Sequence, residues 1–302
     1  MGHAVRWIDL LDPDAAELAR ESPAVLHERA LDLLTTPTDP RRLPRPTLEG
    51  HGQYVLGLFL VATPAPDKES LVYQEVGLVL THDAVVTVRK TPPGCPPFEP
   101  AALHERGEVE SAGMVAFHLV DDVAERYLDL IDHLNDEIDD VEEHVEEWDA
   151  RRVRERLSDL RHDILGIRRT LAPTRDAVHR VFDRRVDVQG DEVFDRDVEL
   201  HFADAYDKLL RATEALELSR DLVAGVRDYY QSKIAIDQNE VTKRLAAYGS
   251  ILLVPTFIVG VYGQNFRHIP ELHWRLGYAF SWAVIVLVTA VQIAFFRRLR
   301  WL

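Results

Sequence analysis

The sequence predicts an α+β membrane protein: an N-terminal α/β domain, a long helical stalk and two C-terminal transmembrane helices. Three observations predict it. Two charge-free apolar runs, residues 245–266 and 276–296, close the chain. Each reaches the roughly 20 residues a helix needs to cross a hydrocarbon core about 30 Å thick. A helical periodicity with few breaks fills the middle of the chain, and short β-branched runs separated by turn residues fill its first 118 residues.

Composition narrows the function classes. The 302 residues carry a formal net charge of −16, whereas phosphate binding needs clustered Lys and Arg, so nucleic acid is excluded as a partner. A single cysteine, Cys95, rules out an intrachain disulfide and a Cys-rich metal site, which suits a reducing compartment. No nucleophile–base motif, phosphate loop or HExxH-type site is evident. An enzyme and an organic cofactor are therefore not expected. Residues 1–11 lack the apolar core of a signal peptide, so the N-terminal part is expected to stay where it was made.

In residues 1–118, Tyr54–Ala62, Glu75–Leu80 and Ala84–Arg89 read as strands. Asp14–Arg20 and Ala24–Leu34 read as helices, and Thr63–Pro66 and Thr91–Pro100 as separators. Residues 119–192 read as an antiparallel acidic helical hairpin. Leu119, Val123, Tyr127, Leu130, Leu134, Ile138, Val141 and Val145 recur on one helical face. Fourteen of the 29 residues from Asp121 to Asp149 are Asp or Glu. Such a run is either a solvated face or a collector of divalent cations near a pore mouth, or a partner for Arg297 and Arg298. A second helix spans about 151–182, and residues 187–191, with Gly190, break the pattern.

A third helix begins near Val193 and meets no Pro before Pro255. It is expected to run from stalk into membrane over residues 193–266, with the first span at about 245–263. Residues 267–275 form a tight connection, 276–296 the second span, and 297–302 a basic tail. Lys243 and Arg244 flank the first span and Arg297, Arg298 and Arg300 follow the second, against only Arg267 and Arg275 in the connection. That imbalance puts both termini in the cytoplasm of a multi-pass inner-membrane protein, with Trp274, Tyr278 and Trp301 at the interfaces.

Along the third helix Asn239, Thr242, Ala246, Gly249, Leu253, Thr256 and Gly260 fall on one mainly small or polar stripe. Small residues in membrane helices serve either close packing or a pore lining.

The first span ends in Tyr262-Gly263-Gln264-Asn265-Phe266, followed by Ile269-Pro270-Glu271-Leu272 and Trp274. Here the chain resembles the CorA-type magnesium channels. They carry Tyr-Gly-Met-Asn-Phe at this place, then a Met-Pro-Glu-Leu loop, a second span and a basic tail. The likeness extends through Leu171-Ala172-Pro173 and Asp136-Glu137-Ile138-Asp139, covering residues 117–302 well and the N-terminal domain loosely. It departs at Gln264, which keeps the length of Met but adds a donor and an acceptor.

The resemblance implies a homopentameric funnel with five long helices around a central pore. Physics agrees that several copies are needed, since two helices per chain cannot enclose an aqueous path. It further implies passive, gated import of Mg²⁺, with Co²⁺ or Ni²⁺ as secondary cargo. Mg²⁺ sheds its waters reluctantly, so a filter should grip the hydrated ion through neutral oxygens. A ring of Asn265 amides with the Gly263 carbonyls, beside Gln264, would supply them, with Glu271 in the outer loop.

The stripe then becomes pore lining, with Leu253 and Leu245 as apolar rings able to close the path by dewetting. Asp204 and Asp228 match acidic positions at which Mg²⁺ bridges neighbouring subunits. The partner acidic segment is not recognisable in residues 30–45. Two other readings stay open. One is the zinc-transporting branch of the superfamily, for which His268 and His273 could be cited; the other is a membrane-anchored scaffold without transport.

Overall fold

The computed structural model describes residues 5–40, 42–65, 71–100, 111–188, 192–264 and 270–302. They form two compact units, residues 1–226 and 227–302.

The first unit holds a five-stranded sheet: β1 (Arg6–Leu11), β2 (Thr47–Gly50), β3 (Val55–Pro64), β4 (Leu71–Leu80) and β5 (Ala84–Arg89), in the order β1-β5-β4-β3-β2. Only the β1–β5 pair is parallel. Residues 55–62 of β3 are buried throughout, because both sheet faces are covered. Helices α1 (Ala15–Glu21) and α2 (Glu28–Thr35) cover one face. There the cross-strand row Ile8–Val86–Val79–Leu56 meets Leu18, Leu26, Ala30 and Leu34. Gly77 lets α2 settle, since a Cβ there would collide with Leu34.

The other face is covered by α3 (Ala112–His144) and α4 (Ala150–Phe182). Buried Tyr127 of α3 donates its hydroxyl to the Leu60 carbonyl at 2.8 Å, and Gly166 of α4 leaves room for the hydroxyl end of Tyr73. A buried Lys90–Glu75 ion pair (2.8 Å), in which Lys90 also donates to the Leu33 carbonyl, ties β5 to β4 and to the end of α2.

Several bounds differ from those expected. Residues 24–27 are not helical; α2 starts at Glu28 because the His27 imidazole Nδ1 accepts from the Ala30 amide and caps it. β1 and β2 were not expected, β4 begins at Leu71, and β3 runs on through Thr63 and Pro64, which were read as a separator. α3 starts at Ala112, where Ser111 Oγ accepts from the Met114 amide.

The long helix is α5 (Arg196–Tyr262), starting three residues past Val193 and continuing through Pro255. In the first unit it buries Val198, Phe202, Ala205, Leu209, Ala212, Leu216, Ser219 and Val223 at three- and four-residue spacing. The buried Ser219 hydroxyl donates to Asn135 of α3 at 2.6 Å. In the second unit, α5 is followed by a 3₁₀ turn at Pro270–His273 and by α6 (Gly277–Arg298), which packs back along it. Ala247 is fully buried there, and Gln292 hydrogen-bonds Ser250. α5 and α6 are long and apolar enough to cross a bilayer, and their most apolar stretches are little buried within the chain.

Candidate functional site

The stripe predicted on α5 lies on its uncovered side. From Lys243 to Tyr262 the buried or half-buried positions are Lys243, Ala247, Ser250, Ile251, Val254, Pro255, Ile258 and Tyr262, and they mark the side that α6 covers. At about 100° per residue the stripe centres roughly 130° away from Ala247. Asn239, Thr242, Ala246, Gly249, Thr256 and Gly260 are all exposed, as are Leu245 (66%) and Leu253 (68%). Larger apolar residues flank the stripe, Tyr248, Leu252 and Val259 on one edge and Phe257 on the other.

A Cβ built on Gly249 or Gly260 would meet nothing within 4 Å. Their smallness therefore serves no packing against α6 in this chain. The two stripe threonines donate their hydroxyls to carbonyls four residues back, Thr242 to Gln238 at 2.8 Å and Thr256 to Leu252 at 2.7 Å. With the proton so engaged, the hydroxyl oxygen presents lone pairs outward. It is an acceptor for the water of a hydrated cation.

The stripe ends at the C-terminus of α5. The Gly263 amide donates to the Val259 carbonyl at 2.9 Å and the Gln264 amide to the Val261 carbonyl at 3.3 Å, closing the last turn. Carbonyls at this end lack intrahelical donors, and the negative end of the helix dipole favours a cation. Asn265 lies outside the described residues, as does His268. Glu271 falls in the 3₁₀ turn, but its side chain is also outside them.

Asp204, exposed on α5, lines an open groove of about 610 Å³ with Phe117, Asp121, Asp207, Lys208 and Arg211. Lys208 reaches across to α3, to Asp121 at 2.7 Å and Glu125 at 2.8 Å. Burial alone would lower the Lys208 ammonium, but the hydrogen bonds and charges of these two carboxylates outweigh it and hold it raised. The sequence reading missed Asp121, Glu125 and Lys208 as companions of Asp204. Lys208 is only four residues past Asp204 on α5, but Asp121 and Glu125 lie more than 80 residues from Lys208 in the chain, so no local spacing signals their contact. Asp228 belongs to the second unit, is exposed, and has Arg227 at 3.5 Å. Among the described residues no group of three or more His, Cys, Asp or Glu could hold a metal ion within one chain.

Comparison with known proteins gives consistent likenesses. The family model described as CorA-like Mg²⁺ transporter protein matches residues 2–298. The cobalt/magnesium transport protein CorA of Thermotoga maritima is 28% identical over 261 residues, 85% of this chain and 73% of its own length. The divalent cation transporter CmaX of Pseudomonas aeruginosa is 28% identical over 96% of this chain and 85% of its own. In fold, the chain superposes on the complete structure of the CorA magnesium transporter from Methanocaldococcus jannaschii with a TM-score of 0.80. That match is 21% identical and covers 98% of this chain and 91% of the other.

Proposed function

This chain belongs to the CorA-like Mg²⁺ transporter family and is a divalent-cation transporter of the membrane; from that membership we propose that it imports Mg²⁺ passively through a gated pore on the axis of a homopentamer. The protein would lie in the cytoplasmic membrane with both termini inside, as the basic flanks of the two spans favour. The observation that carries the reading is the small, polar stripe of α5 on the side that α6 leaves uncovered, with two glycines that pack against nothing.

Several copies turning this stripe toward one axis would line a path with Asn239, Thr242, Thr256 and the glycines. Leu245 and Leu253 would form the apolar constrictions. At the outer mouth the carbonyl end of α5, with Gly263, Gln264 and Asn265, would meet a hydrated ion with neutral oxygens. A dication entering an inside-negative cell gains about 4.6 kcal/mol per 100 mV, twice the value for one charge, so no energy-coupling site is required. Asp204 and Asp228 would take part in holding the pore closed when Mg²⁺ is plentiful. The groove of three carboxylates (Asp121, Asp204, Asp207) against Lys208 and Arg211 supports Asp204 as one part of a site that a second copy completes.

Uptake into proteoliposomes, with Mg²⁺, Co²⁺, Ni²⁺ and Zn²⁺ in separate runs, tests the ion. Mg²⁺ flux should exceed Zn²⁺ flux, fall sharply in Asn265→Ala and persist in Gln264→Met. Zn²⁺ flux above Mg²⁺ flux would move the chain to zinc transport. Equal Mg²⁺ flux in wild type and Asn265→Ala would remove the filter.

A further inference from the structure

The last six residues fold into a defined cap on α6. The Trp301 amide donates to the Phe296 carbonyl at 3.0 Å and the Arg300 amide to the Arg297 carbonyl at 3.1 Å. The Trp301 ring stacks on the Phe296 ring with centroids 5.8 Å apart. These two bonds and the apolar contact make a Schellman cap, which needs a left-handed residue at its C′ position, usually glycine. Here that residue is Arg300, at φ 57°. Glycine would adopt this conformation without steric cost; an arginine holds it at a cost and adds a charge.

That charge joins others. Ser250 and Gln292 face each other. In an antiparallel pair this register sets Arg297 and Arg298 level with Lys243 and Arg244. Five cations thus gather at one end of the helix pair, directly beyond its apolar stretch, with one acidic partner among the described residues, Glu240 at 3.7 Å from Arg244. Arg297, Arg298 and Arg300 are exposed and have no ion pair among the described residues. Half-buried Trp301 lies beside them with its ring folded against Phe296.

We propose that this collar is a binding site for anionic phospholipid: the arginines of the tail, with Lys243 and Arg244, take the phosphate of a lipid headgroup while Trp301 lies at the headgroup level. Guanidinium forks match phosphate oxygens, tryptophan favours the boundary between chains and headgroups, and a basic cluster next to a span attracts anionic lipid. The inference rests on the membrane reading above and adds the chemistry of the lipid at this end.

The test uses the full chain in vesicles of phosphatidylcholine with and without phosphatidylglycerol. Either lipid is brominated in turn, and quenching is read as the difference between wild type and Trp301→Phe. Wild type should be quenched more by brominated phosphatidylglycerol, with a preference that declines as salt is raised. Arg300→Gly keeps the cap, since glycine suits the left-handed position, and should lose about fivefold of the preference. Joint Arg297→Gln, Arg298→Gln and Arg300→Gln should abolish it.

Equal quenching by both lipids in wild type would overturn the proposal, as would an unchanged preference in both variants. Loss of the preference on adding inorganic phosphate, at constant ionic strength, would overturn it in favour of a free-anion site. Failure of the membrane reading looks different, because the protein would then not float with vesicles of either composition.

Discussion

The Gln292 side-chain amide donates to both the carbonyl and the hydroxyl of Ser250, each at 3.2 Å, and so pins α6 to one side of α5. This pair separates a packing side of α5 from a free one. Hydrogen bonds between membrane helices contribute about 0.6 kcal/mol on average. Gln292→Leu should therefore lower stability in detergent by about that amount, and it should leave divalent flux near wild type. Thermal unfolding and vesicle uptake on the same preparation check this. Collapsed flux with unchanged stability would place Gln292 on the ion path instead.

The opposite side should answer in the opposite way. Gly249→Ala and Gly260→Ala add a Cβ into open space, and alanine favours a helix by up to about 1 kcal/mol over glycine. Both variants should be as stable as wild type or more so, yet conduct less, and Gly260→Leu should conduct least. Stable variants with undiminished uptake would show that the stripe does not line the path.

Why the helical half was legible and much of the sheet was not has a physical basis. α3, α4 and α5 each bury one face over many turns, so their 3.6-residue period survives single exceptions, and the stripe of α5 is read by the same period. β3 and β5 are nearly all apolar and announced themselves. β1 did not, because Arg6 and Asp9 interrupt it. Asp9 is tolerable there only because Arg89 (2.7 Å) and Thr87 (2.7 Å), some 80 residues away, hold its carboxylate. β2 is four residues long and is made a strand by its pairing with β3. The expected start of α2 is four residues early, because Ala24 to Leu26 look helical until His27 is seen to cap the helix. Asp121 comes to Asp204 from the packing of α3 beside α5, which no spacing within either helix encodes.

Lys208 competes with any cation for the groove beside Asp204. Lys208→Gln would release Asp121 and Glu125 from their shared ammonium. That partly buried pair contributes on the order of 1 kcal/mol to the α3–α5 contact, so the metal-free variant should be slightly less stable. In exchange, the groove becomes more negative. Mg²⁺ should protect the variant from trypsin at lower concentration than it protects wild type, and Asp204→Asn should need more. If Mg²⁺ dependence moved in neither variant, the groove would have no part in sensing.

Asp163 should make the first unit respond to pH. It lies on α4, half-buried, and burial, with Glu137 and Asp159 nearby, pushes its carboxyl up from 3.8 to about 6, against the opposing effect of Arg156. The native state therefore holds this proton more tightly than the unfolded chain does. Its favourable contribution is fully present below about 3.9, the unfolded value, and is lost as pH rises through about 6. Asp163→Asn keeps the shape and removes the charge. At pH 7.5 it should stabilise the protein by about 1 kcal/mol, screening by water at a half-buried position limiting the gain. At pH 4 the two proteins should unfold together. Melting temperatures of both across pH 4 to 8 measure this directly. An asparagine variant less stable at every pH would mean that the ionised carboxylate is itself a structural acceptor on α4, and the sign of the argument would reverse.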